Sequence, residues 1–187
     1  MAIFVSARYG EAHTMEPEKG YLHVYTGNGK GKTTAAFGLA LRALCAGKRV
    51  FVAQFVKSMQ YNETAVAEHF DGIEIHQYGR GCFINRPAAP EDRAAAEAGW
   101  ETCREVLRSD RFDVVILDEL SIAFYYELLD VDQVLADIRA RNPHIEVVVT
   151  GRYAPPALVE AADLVTDMQE IKHYYTQGVL SRNGIDR

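Results

Sequence analysis

The stretch VYTGNGKGKTT (residues 24–34) constrains this chain more than any other. A β-rich run, YLHVYT (21–26), leads into it, and a helical one, TTAAFGLALRALCA (33–46), leads out. Gly27, Gly29 and Gly31 are small enough for the backbone to turn its N–H groups inward as an anion nest. The following helix points its positive end at the same place. Lys32 adds a point charge, and the Thr33 hydroxyl is a hard oxygen donor suited to Mg²⁺. The common phosphate loop reads G-x-x-x-x-G-K-[ST]. Here Gly31-Lys32-Thr33 ends the pattern, but the position five before Gly31 is Thr26. The stretch reads as a nucleotide-phosphate cradle of unusual spacing rather than a plain glycine turn.

The rest of the chain alternates strand and helix patterns. Strands are predicted over RVFVAQF (49–55), GIEIHQY (72–78), FDVVILDEL (112–120), HIEVVVTG (144–151) and LVTDMQEI (164–171). Helices are predicted over ETAVAEHF (63–70), APEDRAAAEAGWETCREVLRS (89–109), DVDQVLADIRARN (130–142) and PPALVEAAD (155–163). Pro90 and acidic residues open the long helix, and an Asp opens DVDQVLADIRARN, as helix starts require. The continuous apolar runs suit strands buried on both faces. The pattern predicts a single α/β domain with a mostly parallel sheet and helices on both faces; with the phosphate loop after its first strand, the expected class is RecA-like, phosphate-loop NTPase-like. The expected division is an arm over residues 1–19, flexible by composition, and one domain over 20–187, with Met15 an alternative start.

Charge and cysteine usage exclude several classes. The 187 residues carry a net charge of −6, which argues against a nucleic-acid surface and requires local positive charge for any anionic ligand. Cys45, Cys82 and Cys103 are odd in number and form no CxxC pair, so neither a disulfide framework nor a structural zinc site is expected, and a reducing cytoplasm is the simple location. No apolar run is long enough to span a membrane.

A second motif agrees with the loop. VVILDEL (114–120) ends a buried strand in Asp118-Glu119, where the ligand crevice of an open α/β sheet lies. Either carboxylate can hold Mg²⁺, directly or through water. Arg42 is the only charge on the helix between Thr34 and Ala46, so it needs either an ion-pair partner or a ligand. QYGRGCFINRPAAP (77–90) is a glycine-broken loop with an apolar centre, either a lid or pocket floor or a cap on the core.

Taken together, YTGNGKGKTTAAFGLALRA, VAQFVKS, GRGCFI, VVILDEL, TGRYAPPALVEAADLVTDMQEIKHYY and GVLSRNGID resemble the phosphate-loop corrinoid adenosyltransferases, over nearly everything after the arm. Thr26 in place of the first glycine is that family's own variant. Ser58 departs from the glycine usual there. The resemblance implies transfer of the 5′-deoxyadenosyl group of ATP to the Co(I) of a reduced corrinoid, with triphosphate leaving intact. It implies that ATP lies reversed in the loop, its γ-phosphate deep in the nest. Gly27, Asn28, Gly29, Lys30, Gly31, Lys32, Thr33 and Thr34 are then the phosphate-binding residues. Thr33 with Asp118 or Glu119 holds Mg²⁺, Lys32 is the catalytic cation, and Arg42 and Arg152 contact the nucleotide. It also implies a homodimer and a flavin-type donor that reduces Co(II). The acceptor is cobalamin, cobinamide or cobyrinic acid a,c-diamide. Some members carry GFTW, whose Phe and Trp expel the lower cobalt ligand. This chain has GCFI instead, so Phe83 and Ile84 are the expected wedge, with Cys82 a packing residue. Trp100 is expected in the core. The rival readings are a generic phosphate-loop ATPase or small-molecule kinase, and a non-catalytic ATP-dependent module.

Overall fold

The computed structural model describes residues 18–57, 61–79 and 88–186. The strands are β1 (Leu22–Thr26), β2 (Val50–Phe55), β3 (Ile73–Tyr78), β4 (Val114–Asp118), β5 (Glu146–Thr150) and β6 (Leu164–Asp167). They form one sheet in the order β3-β2-β4-β5-β1-β6, and every pairing is parallel. β5 therefore lies between the strand that feeds the glycine loop and the strand that ends in Asp118. The doubly covered parallel sheet expected from the sequence is present.

The central strands are buried on both faces, and alternate residues feed two cores. Phe51, Ala53, Phe55, Val115, Leu117, Val147 and Val149 face one; Val50, Val52, Val114, Ile116 and Val148 face the other. The second core is covered by α1 (Lys32–Cys45) through Ala36, Ala40 and Ala43, a stripe at helical spacing whose small side chains let the helix lie close to the sheet. A 3₁₀ segment (Asn62–Glu68) replaces the short α-helix expected there. The first core is covered by α2 (Pro90–Leu107), α3 (Leu120–Tyr125), α4 (Val131–Arg139) and α5 (Pro156–Ala161). Trp100 is buried in it, and its Nε1 donates to Asp137 Oδ2 at 3.0 Å, while Arg104 and Arg108 hold the same carboxylate.

Three further expectations are corrected. The strand expected over 112–120 stops at Asp118; Glu119 adopts a left-handed conformation (φ 59°) and starts α3, which was not expected. An apolar run of that length fits a buried helix as well as a strand. α1 packs one face on the sheet, with Ala36, Ala40 and Ala43 buried and Phe37, Leu39 and Leu44 half-buried, and leaves Leu41 and Arg42 exposed. Arg42 is exposed, so burial gives it no need of a partner. Finally, β6 ends at Asp167, and a 3₁₀ turn (Tyr174–Gln177) follows. The arm expected over 1–19 lies outside the described residues except for Glu18 and Lys19.

Candidate active site

The glycine loop joins β1 to α1 at the carboxyl edge of the sheet. Gly27 (φ 94°) and Gly31 (φ 122°) adopt conformations that L side chains rarely enter. Gly31 caps α1 without a side-chain acceptor, so the first N–H groups of the helix remain available to an anion. Lys32 Nζ folds back over the loop and donates to the carbonyls of Gly27 (2.8 Å) and Gly29 (2.7 Å). The Gly29 N–H donates to Met168 O at 2.7 Å, so this amide braces the loop against the segment after β6.

Opposite the loop, Asp118 is fully buried and is the centre of a hydrogen-bond network. Its Oδ1 accepts from Thr33 Oγ1 (2.8 Å) and Thr150 Oγ1 (2.6 Å). Its Oδ2 accepts from Gln54 Nε2 (3.0 Å) and Lys57 Nζ (2.7 Å). Thr150 Oγ1 accepts in turn from the Glu119 N–H at 3.0 Å, and Gln54 Oε1 from Gln77 Nε2 at 2.9 Å. A carboxylate offers about four lone-pair positions, and these donors from the ends of β2, β5 and α1 account for them.

Strain marks the same edge. Val56, Glu119 and Tyr153 follow β2, β4 and β5, each at positive φ (60°, 59° and 58°). For a β-branched or bulky residue this is unfavourable, and such strain clusters at functional sites. The turn at Val56 places Lys57 directly on Asp118.

The electrostatics follow from burial and these neighbours. Burial lowers the Lys32 pKa, and Arg152 adds to the effect, against Glu119, Asp118 and Asp167. Glu119 is raised by burial and then by the adjacent Asp118 charge, opposed by Lys57, Lys32 and Arg152. Burial alone would lower Lys57, but the charge and hydrogen bond of Asp118 outweigh it and the pKa is raised. No hydrogen-bond donor reaches the Glu119 carboxylate among the described residues.

The structure thus brings together Gly27 to Thr34, Asp118, Glu119 and Arg152. It does not bring Arg42 to the loop: ten residues along α1 from Lys32 is a rise of about 15 Å. Gln54, Lys57 and Thr150 were not assigned roles from the sequence, although each ends or follows a strand at the ligand edge, the signal that singled out Asp118. Phe83, Ile84, Cys82 and Ser58 lie outside the described residues.

A family described as ATP:corrinoid adenosyltransferase BtuR/CobO/CobP matches residues 18–186. The corrinoid adenosyltransferase of Pseudomonas aeruginosa is 41% identical, covering 90% of this chain and 84% of its own. The corrinoid adenosyltransferase CobA of Salmonella typhimurium is 36% identical over 97% of this chain and 91% of its own. Among solved structures, the flagellar accessory protein FlaH of Methanocaldococcus jannaschii superposes with a TM-score of 0.52 at 14% identity, covering 80% of this chain and 71% of that one, a likeness of fold alone.

Proposed function

The chain belongs to the ATP:corrinoid adenosyltransferase family, and from that premise we propose how its own residues carry the reaction. The enzyme transfers the 5′-deoxyadenosyl group of ATP to the Co(I) of a reduced corrinoid. Cobalt supplies the electron pair, a Co–C5′ bond forms, the C5′–O bond breaks, and the pair leaves on triphosphate. So strong a nucleophile needs no general base, and the hard chemistry belongs to the corrinoid. The protein must align C5′ with cobalt and stabilise charge on the leaving oxygen.

We assign the second task to Lys32, the N–H groups that open α1, and Arg152. The observation that carries this is the convergence of Lys32, Thr33, Glu119 and Arg152 at one edge of the sheet. ATP is proposed to lie with its terminal phosphate in the nest, since C5′ must emerge toward the corrinoid. Lys30 and Thr34 hold outer phosphate oxygens. Arg42 meets the nucleotide only if the nucleotide extends along α1.

Mg²⁺ is proposed to bind between Thr33 and Glu119. Thr33 gives its only proton to Asp118, which leaves its lone pairs for a cation. Glu119 is a half-buried carboxylate with no donor of its own among the described residues. Two hard oxygen donors with substrate phosphates are what Mg²⁺ takes. Asp118, already accepting from its four donors, orients Thr33. When bound, the ion neutralises charge on the triphosphate.

The homodimer, the flavin-type electron donor, a cytoplasmic location and the wedge of Phe83 and Ile84 under the corrinoid remain proposals supported by the family. The acceptor is proposed to be cobalamin, cobinamide or cobyrinic acid a,c-diamide. The deciding experiment incubates the protein with ATP, Mg²⁺ and chemically reduced cobalamin. Adenosylcobalamin and intact triphosphate in equal amounts are expected; stoichiometric ADP and phosphate would favour the ATPase reading.

A further inference from the structure

Lys30 sits in the phosphate loop, yet its partners come from the far end of the chain. Its Nζ lies 3.0 Å from Asp186 Oδ1 and donates to the Ile185 carbonyl at 3.2 Å. Asp186 is itself held in place. The Tyr174 hydroxyl donates to its Oδ1, and the backbone N–H and Nε of Arg182 donate to its Oδ2, each at 3.1 Å. The Arg182 guanidinium also lies 4.7 Å over the Tyr174 ring. A left-handed Gly184 (φ 73°) turns the chain back so that residues 185 and 186 reach the loop. These bonds, Tyr174 first, keep the Asp186 carboxyl far below the usual carboxylate range.

The ammonium group that the proposed function gives to a phosphate oxygen is here held by a fixed carboxylate. We propose that Asp186 is an intramolecular competitor for Lys30. A phosphate oxygen displaces the carboxylate as ATP seats, and the carboxylate returns as triphosphate departs. This rests on the reading that the loop holds the phosphates of ATP. The chemistry gives the competitor a purpose. Breaking C5′–O leaves a product with one more negative charge than the bound substrate had, held by the same cations, so the transfer step itself tightens the grip on what must leave. A carboxylate poised to reclaim one of those cations offsets that. The pair is partly solvated, with Lys30 38% exposed, so the exchange is between states of similar energy. Asp186 is on this account a positioning residue that acts through Lys30.

The test uses the full chain, Mg²⁺ and inorganic tripolyphosphate as probe, with binding followed by calorimetry. Asp186→Asn removes the competing charge and should tighten tripolyphosphate about 3-fold, the scale of a partly exposed ion pair. It should lower KM for ATP while kcat stays level or falls, whereas structural damage would raise KM. Unchanged or weaker tripolyphosphate binding in Asp186→Asn overturns the proposal. In a Lys30→Ala background the same substitution should make no difference; equal tightening there would mean a general charge effect and overturn the exchange. Lys30→Ala alone should weaken tripolyphosphate, and wild-type binding in that variant also overturns the proposal. The phosphate-loop reading is tested separately by Lys32→Ala. If Asp186→Asn does not fold, Tyr174→Phe, which loosens the carboxylate, should tighten tripolyphosphate in the same direction, and its failure to do so overturns the exchange.

Discussion

Thr33 and Asp118, 85 residues apart, meet through one hydrogen bond of 2.8 Å in which the hydroxyl donates and the buried carboxylate accepts. This bond joins the first turn of α1 to the end of β4 and fixes which way the Thr33 lone pairs face. Asp118 is held in turn by Lys57, itself largely buried. Asp118→Asn should therefore cost about 3 kcal/mol or more of stability, because it leaves a buried ammonium without its counter-charge. Denaturant unfolding checks this; a loss under about 1 kcal/mol, the scale of an exposed pair, would mean that Lys57 is neutralised by another group.

Lys32→Ala should lower the rate of adenosylation by at least ~10²-fold, the usual worth of a donor aimed at developing charge. The measurement is single-turnover transfer to pre-formed cob(I)alamin. Near-normal rates would remove Lys32 from its role.

Glu119 gives a pH prediction of definite sign. Its pKa in the fold is raised above the ordinary 4.5, by burial first. The uncharged form is the one the fold favours, so this contribution to stability is full below pH 4.5 and is lost as the pH rises through the raised value. Without nucleotide or Mg²⁺, Glu119→Gln should melt above the wild type at neutral pH, and the gap should close in acid. The same variant should bind Mg·ATP poorly. A variant that melts below the wild type at neutral pH would contradict this account.

Two glycines should respond in opposite ways to alanine. At Gly27 (φ 94°) a Cβ would fall 2.2 Å from Asp167 Oδ1 and 2.4 Å from the Met168 carbonyl, so Gly27→Ala should disrupt the loop and abolish ATP binding. At Gly38, exposed on α1, a Cβ meets nothing within 4 Å, and Gly38→Ala should stabilise by about 0.5–1 kcal/mol. Thermal unfolding and ATP titration of both variants check the contrast.

Phe83→Ala should reduce turnover from cob(II)alamin with a flavin-type reductant far more than turnover of pre-formed cob(I)alamin. Equal losses in the two assays would give Phe83 a role in binding or folding rather than in expelling the lower ligand.

The loop and the Asp118-Glu119 pair were legible because each is local: glycines, lysine and threonine are contiguous, and the acids close one apolar run. Lys57, Gln54 and Thr150 were not, because their meaning depends on β2 and β5 flanking β4, a neighbour relation that no short stretch of sequence carries. α3 was missed because its apolar residues continue those of β4, so periodicity does not separate them. The need of Arg42 for a partner was misread because α1 looks uniformly apolar, yet the face that packs on the sheet, Ala36, Ala40 and Ala43 with Phe37, Leu39 and Leu44 beside them, leaves Arg42 exposed. The bond between Lys30 and Asp186 spans nearly the whole domain and was beyond any local reading.

The placement of β5 between β1 and β4 also governs when the site can exist. β1 pairs only with β5 and β6, and Leu22 must find Val147 across 125 positions of chain. On the ribosome, at roughly 5–20 residues per second, the glycine loop emerges early and then waits, its strand without a neighbour, while β2, β3 and β4 assemble ahead of it. Such distant pairings form slowly. A nascent chain stalled before β5 would own every residue of the phosphate loop while β1 still lacked both of its neighbours. The edge that carries the loop is complete only once β5 has entered between β1 and β4.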